Sequence, residues 1–182
     1  MKRFIVVAAA TLVFLTGNSF GQAFQNGDNV LSVGLGLGSS LGSFTYGSQT
    51  PAISLQYEHG KWDVGGPGVI SLGAYLGYKG YKYSNRHFFY NERWNYFILG
   101  LRSAYHYNGF DVKELDVYGG AMLSLNFVDY SSSNDLYRGS YGTGLGFSIY
   151  LGSRYFLSEN IAAFAELGYG ISFFTLGAAF RL

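Results

Sequence analysis

Residues 98–107 read ILGLRSAYHY, an apolar run with Arg102 at its centre. With the preceding residue included, the run alternates. Phe97, Leu99, Leu101 and Tyr105 share one side, while Ile98, Gly100, Arg102, Ala104 and His106 share the other. A two-residue period marks a β-strand whose faces meet unlike surroundings. In a soluble sheet the large apolar side faces the core and the opposite side carries charges to water. Only 13% of this chain is charged, and the face bearing Arg102 carries no other Asp, Glu, Lys or Arg. The inverted arrangement accounts for both facts: the leucines face lipid, and the arginine faces a narrow interior.

The same alternation recurs seven more times, at 30–38, 52–59, 69–81, 117–127, 144–154, 163–170 and 174–182. Leu31, Val33, Leu35 and Leu37 oppose Ser32, Gly34, Gly36 and Gly38; Ala163, Ala165, Leu167 and Tyr169 oppose Phe164, Glu166, Gly168 and Gly170. The composition agrees: 27 Gly, 17 Tyr and 16 Phe against 2 Pro is poor in helix formers and rich in strand-forming aromatics. The connections alternate as well. Those at 39–50, 84–93 and 129–140 are long and polar, and those at 60–67, 108–113 and 157–160 are mostly shorter. Long loops at one end and short turns at the other describe an outer-membrane barrel. The connection at 170–173 is short although it belongs to the long-loop end. The expected fold is all-β, an eight-stranded antiparallel up-and-down transmembrane β-barrel.

The first residues point to export. Lys2 and Arg3 precede an apolar run from Phe4 to Leu15, and Ser19-Phe20-Gly21 has the small-x-small form of a signal-peptidase site. A dozen apolar residues are too few to span a bilayer as a helix. Residues 1–21 are therefore expected to be a signal peptide and 22–182 the barrel domain. Loss of Lys2 and Arg3 moves the formal charge from +1 to −1, which offers no basic face to nucleic acid. The absence of cysteine excludes disulfides, a thiolate metal site and a lipid anchor on cysteine.

In such a barrel, strand parity sends Glu58, Arg102, Arg154 and Glu166 inward. A lipid-facing arginine near the midplane would cost roughly 2–4 kcal/mol, and unpaired charges inside are costly, so the four are expected to pair. They fall toward the periplasmic half, with His106 beside them and Tyr75, Tyr118, Tyr150 and Phe164 adding bulk. Eight strands leave an interior that side chains fill, so no aqueous pore is expected. Tyr57, Tyr105, Tyr155 and Tyr169 suit the aromatic girdles.

The stretches PAISLQYEHG (51–60), ISLGAYLGY (70–78), LRSAYHY (101–107) and LGSRYFLSENIAAFAELGYG (151–170), running into FFTLGAAFRL (173–182), resemble the small eight-stranded outer-membrane barrels of the OmpA and OmpX type. Among these the chain is most similar to the outer membrane protein beta-barrel family common in Bacteroidota. The resemblance covers nearly all of 22–182 and implies a fold without a shared chemistry. It also implies residence in the outer membrane, contact with its lipid, and delivery by the barrel-assembly machinery. Members usually end in an aromatic residue that this machinery reads; here Leu182 is last and Phe180 stands two before it.

No catalytic residue is assigned. His87, Asp129 and Asp135 are expected in loops and His59 at a turn, with no Ser-His or Asp-His spacing that stands out. The three histidines are too scattered for a metal site. Glycine repeats such as 34–38 are followed by strand or loop, not by the helix that phosphate binding needs. No cofactor is expected. Tyr46, Arg86, Phe88, Phe89, Tyr90, Tyr130, Tyr137 and Arg138 populate the long loops, where interleaved aromatics and cations suit contact with an extracellular protein or glycan. The leading expectation is a non-enzymatic, side-chain-filled outer-membrane barrel with a structural or surface-interaction role. The alternatives are a barrel enzyme, proteolytic or lipid-modifying, and a secreted lipocalin-like binding barrel.

Overall fold

The structure, a computed structural model, describes residues 23–41, 48–85, 90–132 and 142–182. The expected signal segment 1–21 lies outside the described residues. So do His87 and Asp135, and Tyr46, Arg86, Phe88, Phe89, Tyr137 and Arg138 of the expected loop surface.

The strands are β1 (Asn29–Leu37), β2 (Ser48–Gln49), β3 (Ala52–Asp63), β4 (Gly68–Asn85), β5 (Tyr90–Tyr107), β6 (Leu115–Ser132), β7 (Gly144–Phe156), β8 (Ile161–Tyr169) and β9 (Phe174–Arg181). Short β2 pairs with β4 one residue out of step with β3, because Pro51 between them has no N–H to give the ladder. β2 and β3 thus form one interrupted stave, and the wall has eight. Each stave pairs antiparallel with the next, β4 pairs with β5, and β1 pairs with β9 to close the ring.

The registers fix the tilt. From Asn29 the ladder passes through His59, Leu72, Ser103, Ala121, Ile149 and Tyr169. Carried on through β9, it returns to β1 opposite position 39, ten residues from its start. A shear of ~10 over eight strands tilts them by about 40–45° and leaves an interior of side-chain width.

Parity then sorts the residues. The outward face is apolar and exposed, with Leu145 at 89%, Leu101 at 75% and Leu123 at 67% relative exposure. The inward face holds the buried polar set, including Glu58, Arg102, Asp116, Arg154 and Glu166. This is the reverse of a lipocalin-like barrel, whose wall would be polar outside.

Strand limits differ from the sequence reading in several places. Residues 84–93, expected as a long loop, are mostly ladder: Lys82 pairs with Arg93 and Asn85 with Tyr90. Tyr90, Asp129 and Tyr130 accordingly lie in strands and not in loops. His59 lies within β3 opposite Asn29, and the ladder continues to Asp63 past an irregularity between Gly60 and Trp62. In each case the apolar alternation ends before the hydrogen bonding does.

Candidate functional site

The interior is organised around two guanidinium groups. Arg102, on β5, donates from Nη2 to Glu166 Oε1 and from Nη1 to Gln56 Oε1, each at 2.6 Å. Its Nε donates to the Tyr150 hydroxyl at 3.1 Å and stands 3.3 Å from Glu58 Oε1. The guanidinium also stacks on the Tyr150 ring, 4.1 Å from its centroid. Arg154, on β7, donates to Glu58 Oε2 at 2.5 Å and to Asp116 Oδ2 at 3.2 Å. Tyr118 donates its hydroxyl to Glu166 Oε1 at 3.0 Å. Glu58 thus lies between the two arginines, and the four charges read from the sequence meet in one cluster.

The cluster has two members, Asp116 and Gln56, that the sequence reading left out. Asp116 is completely buried and faces both Arg154 and His106. Three carboxylates, Glu58, Asp116 and Glu166, therefore share the site with two guanidiniums. His106 places Nδ1 2.9 Å from Asp116 Oδ1 and Nε2 3.0 Å from Ser71 Oγ. Gln56 joins Arg102 to Glu166, with Nε2 3.5 Å from Glu166 Oε2.

Ser71, His106 and Asp116 form a nucleophile–base–acid series by distance alone. Their surroundings do not suit catalysis. All three residues have no exposed surface, the Phe24 ring stacks on His106 with centroids 4.0 Å apart, and Ser71 Oγ is also 3.4 Å from the Ala104 carbonyl. A substrate carbonyl would have to displace Phe24 and a salt-bridge cluster to arrive.

Apolar groups bracket the charges. Toward the termini, Phe24 packs with Val30, Val69, Phe156, Ala162 and Phe164. The segment carrying it is held by Asn108, which donates to the Phe24 carbonyl at 2.9 Å, and by Gly27, which donates to the Gly60 carbonyl at 2.9 Å. Toward the other end, Ala52, Tyr75, Ile98, Met122 and Ile171 form a second cluster, with Leu41 against it. Between this cluster and Arg102 lies a cavity of about 40 Å³, room for water but not for a substrate. Further up, Lys79 is buried and donates to the Gly38 carbonyl at 3.0 Å.

Of the expected contact surface, Tyr130 is described with its side chain. Its hydroxyl donates to Glu92 at 2.7 Å and its ring lies 5.3 Å from that of Trp94. It packs against the extended sheet.

No family model matches the chain, and no curated protein matches it. Solved structures do. A de novo designed transmembrane β-barrel matches with a TM-score of 0.51 at 15% identity, covering 88% of this chain and 99% of its own. Ail, the attachment invasion locus protein of Yersinia pestis, in complex with the heparin analogue sucrose octasulfate, matches with a TM-score of 0.53 at 9% identity, covering 85% of this chain and 97% of its own. At such identities the likeness concerns the fold: the chain is a closed, eight-stranded antiparallel barrel of the transmembrane kind.

Proposed function

We propose that the protein is an integral outer-membrane barrel without enzymatic activity. Its lumen is filled by side chains, and its role is structural or one of surface contact at the end opposite the termini. The observation carrying this reading is the inverted partition of the wall. A belt of exposed leucines surrounds a cluster of buried charges, an arrangement unfavourable in water and favourable in lipid. Residues 1–21 act as the export signal and 22–182 as the barrel, which contacts outer-membrane lipid and uses the barrel-assembly machinery to insert. Nucleic acid is not a partner.

The non-enzymatic reading rests on the burial of the Ser71–His106–Asp116 series beneath Phe24. The surface role is supported by the strands that continue beyond the belt, and by the sulfated sugar bound to Ail, whose fold is similar. An extracellular glycan or protein is the partner class we assign.

The test is fractionation followed by electrophoresis with and without boiling. A closed ladder satisfies its own backbone groups and resists detergent, so the protein should appear in the outer membrane with heat-modifiable mobility. Recovery in the soluble periplasm would overturn the reading.

A further inference from the structure

The outer wall over β4, β5 and β6 is ordered in rows. Tyr78, Phe97 and Phe127 stand side by side in register, with the Tyr78 and Phe97 rings 5.2 Å apart. One step further from the termini come Gly80, Asn95 and Asp129, and then Lys82, Arg93 and Ser131. All share the outward parity of the leucine belt. Aromatic rows of this kind mark the level of lipid headgroups, which places Lys82 and Arg93 just above that level.

Two features of this pair call for an anion. Lys82 and Arg93 are directly opposed across an antiparallel ladder, where like charges repel. The neighbouring carboxylates have other partners: Asp129 accepts from Asn95 at 3.3 Å, and Glu92 accepts the Tyr130 hydroxyl at 2.7 Å. Beside the two cations lies a groove of about 370 Å³, lined also by Ser48, Thr50, Tyr78 and Asn95. A second hollow, also about 370 Å³ and almost wholly apolar, lies lower on the wall across β4 to β7. It is lined by Ala74, Leu99, Leu101, Leu123, Leu125 and Leu145.

Six to eight residues separate the cation row from this trough, about 20–26 Å along the strand. That is the reach of a headgroup with its acyl chain. A free anion has no use for the trough, and a soluble glycan cannot enter it.

We infer that Lys82 and Arg93 bind the phosphorylated headgroup of a lipid in the outer leaflet, whose acyl chain lies in the leucine trough below. The inference rests on the membrane placement proposed above. The full chain, folded in detergent and checked for the heat-dependent gel shift, is presented with dimyristoyl phosphatidic acid or with phosphatidylcholine of the same chains, and retained lipid is counted by native mass spectrometry. The expected preference for phosphatidic acid is roughly ten-fold or more. Lys82→Gln with Arg93→Gln should abolish the preference and keep the gel shift.

Equal retention of the two lipids, or an unchanged preference in the double variant, overturns the headgroup site while leaving the membrane barrel standing. Displacement by an equal concentration of inorganic phosphate overturns the lipid assignment. So does a sulfated sugar that binds through the two cations when no lipid preference exists. Absence of any heat-modifiable form overturns both readings together.

Discussion

Arg102 Nη2 and Glu166 Oε1 lie 2.6 Å apart, although 64 residues separate them in sequence. The contact joins β5 to β8 through the middle of the barrel, and Gln56 on β3 bridges the same pair. A strand register wrong by one residue would turn one of these groups into lipid. The pair therefore ties the faces of distant staves together.

Replacing Arg102 with Leu should cost about 3–5 kcal/mol, because Glu166 loses its buried counter-charge. Removing Glu166 as well should recover part of that loss. Glu58 keeps Arg154 at 2.5 Å, so the double with Glu58→Leu should recover less. Urea unfolding from lipid, on the single and double variants, gives the coupling. Absence of coupling in both doubles would mean that Arg102 is not in a buried pair.

Leu123 points outward, midway along β6 between the rows of Phe127 and Gly119, the latter beside Tyr105. Leu123→Arg should cost roughly 2–4 kcal/mol in a bilayer, visible as a smaller heat-modifiable fraction. On a soluble barrel the same exposed position would accept arginine without loss, so a neutral result favours the soluble alternative.

Gly60 meets the segment that carries Phe24. A Cβ there would come within 2.2 Å of the Gln25 carbonyl oxygen, which is backbone and has little freedom to move. Gly60→Ala should release the segment, so that limited proteolysis cleaves near residue 24 faster than in the parent. Phe24→Ala should lower stability by about 3 kcal/mol. If cleavage rates match, the segment is not held against Gly60.

Purified protein in a planar bilayer should show no large steady conductance, since the Arg102 and Arg154 clusters occupy the lumen between two apolar layers. A reproducible porin-like step would show an open path past these groups.

The orientation of each stave was readable from residue parity, and so was the inward placement of Glu58, Arg102, Arg154 and Glu166. Parity works because one face meets lipid and the other meets protein. It failed where that contrast ends. Beyond Tyr81 the strand reads Lys82, Tyr83, Ser84 and Asn85, so the ladder running on to Asn85 carries no apolar alternation. Asp116 was passed over because it stands one residue before the stretch read as a strand, although its parity matches that of Tyr118 and Met122. That parity is the signal the sequence offers, and the structure sets Asp116 opposite Arg154. Lys79 shares the inward parity of Tyr75, yet it is not counted among the interior charges read from the sequence. Phe24 precedes every alternating segment, and only the folded chain brings it onto His106.

The ring is sealed by β1 against β9, with Val30 opposite Arg181 and the Leu182 N–H donating to the Asn29 carbonyl at 2.9 Å. The pairing that completes the barrel thus joins segments from nearly opposite ends of the sequence. Until it forms, β1 and whichever strand was last to join both present open edges able to pair with other chains. The entropy of that closure must be met before the final ladder can repay it. Folding should therefore be slow and highly cooperative, with a half-built sheet gaining little. Sheltering those two edges until residues 174–182 arrive is the principal kinetic demand this architecture makes on whatever inserts it.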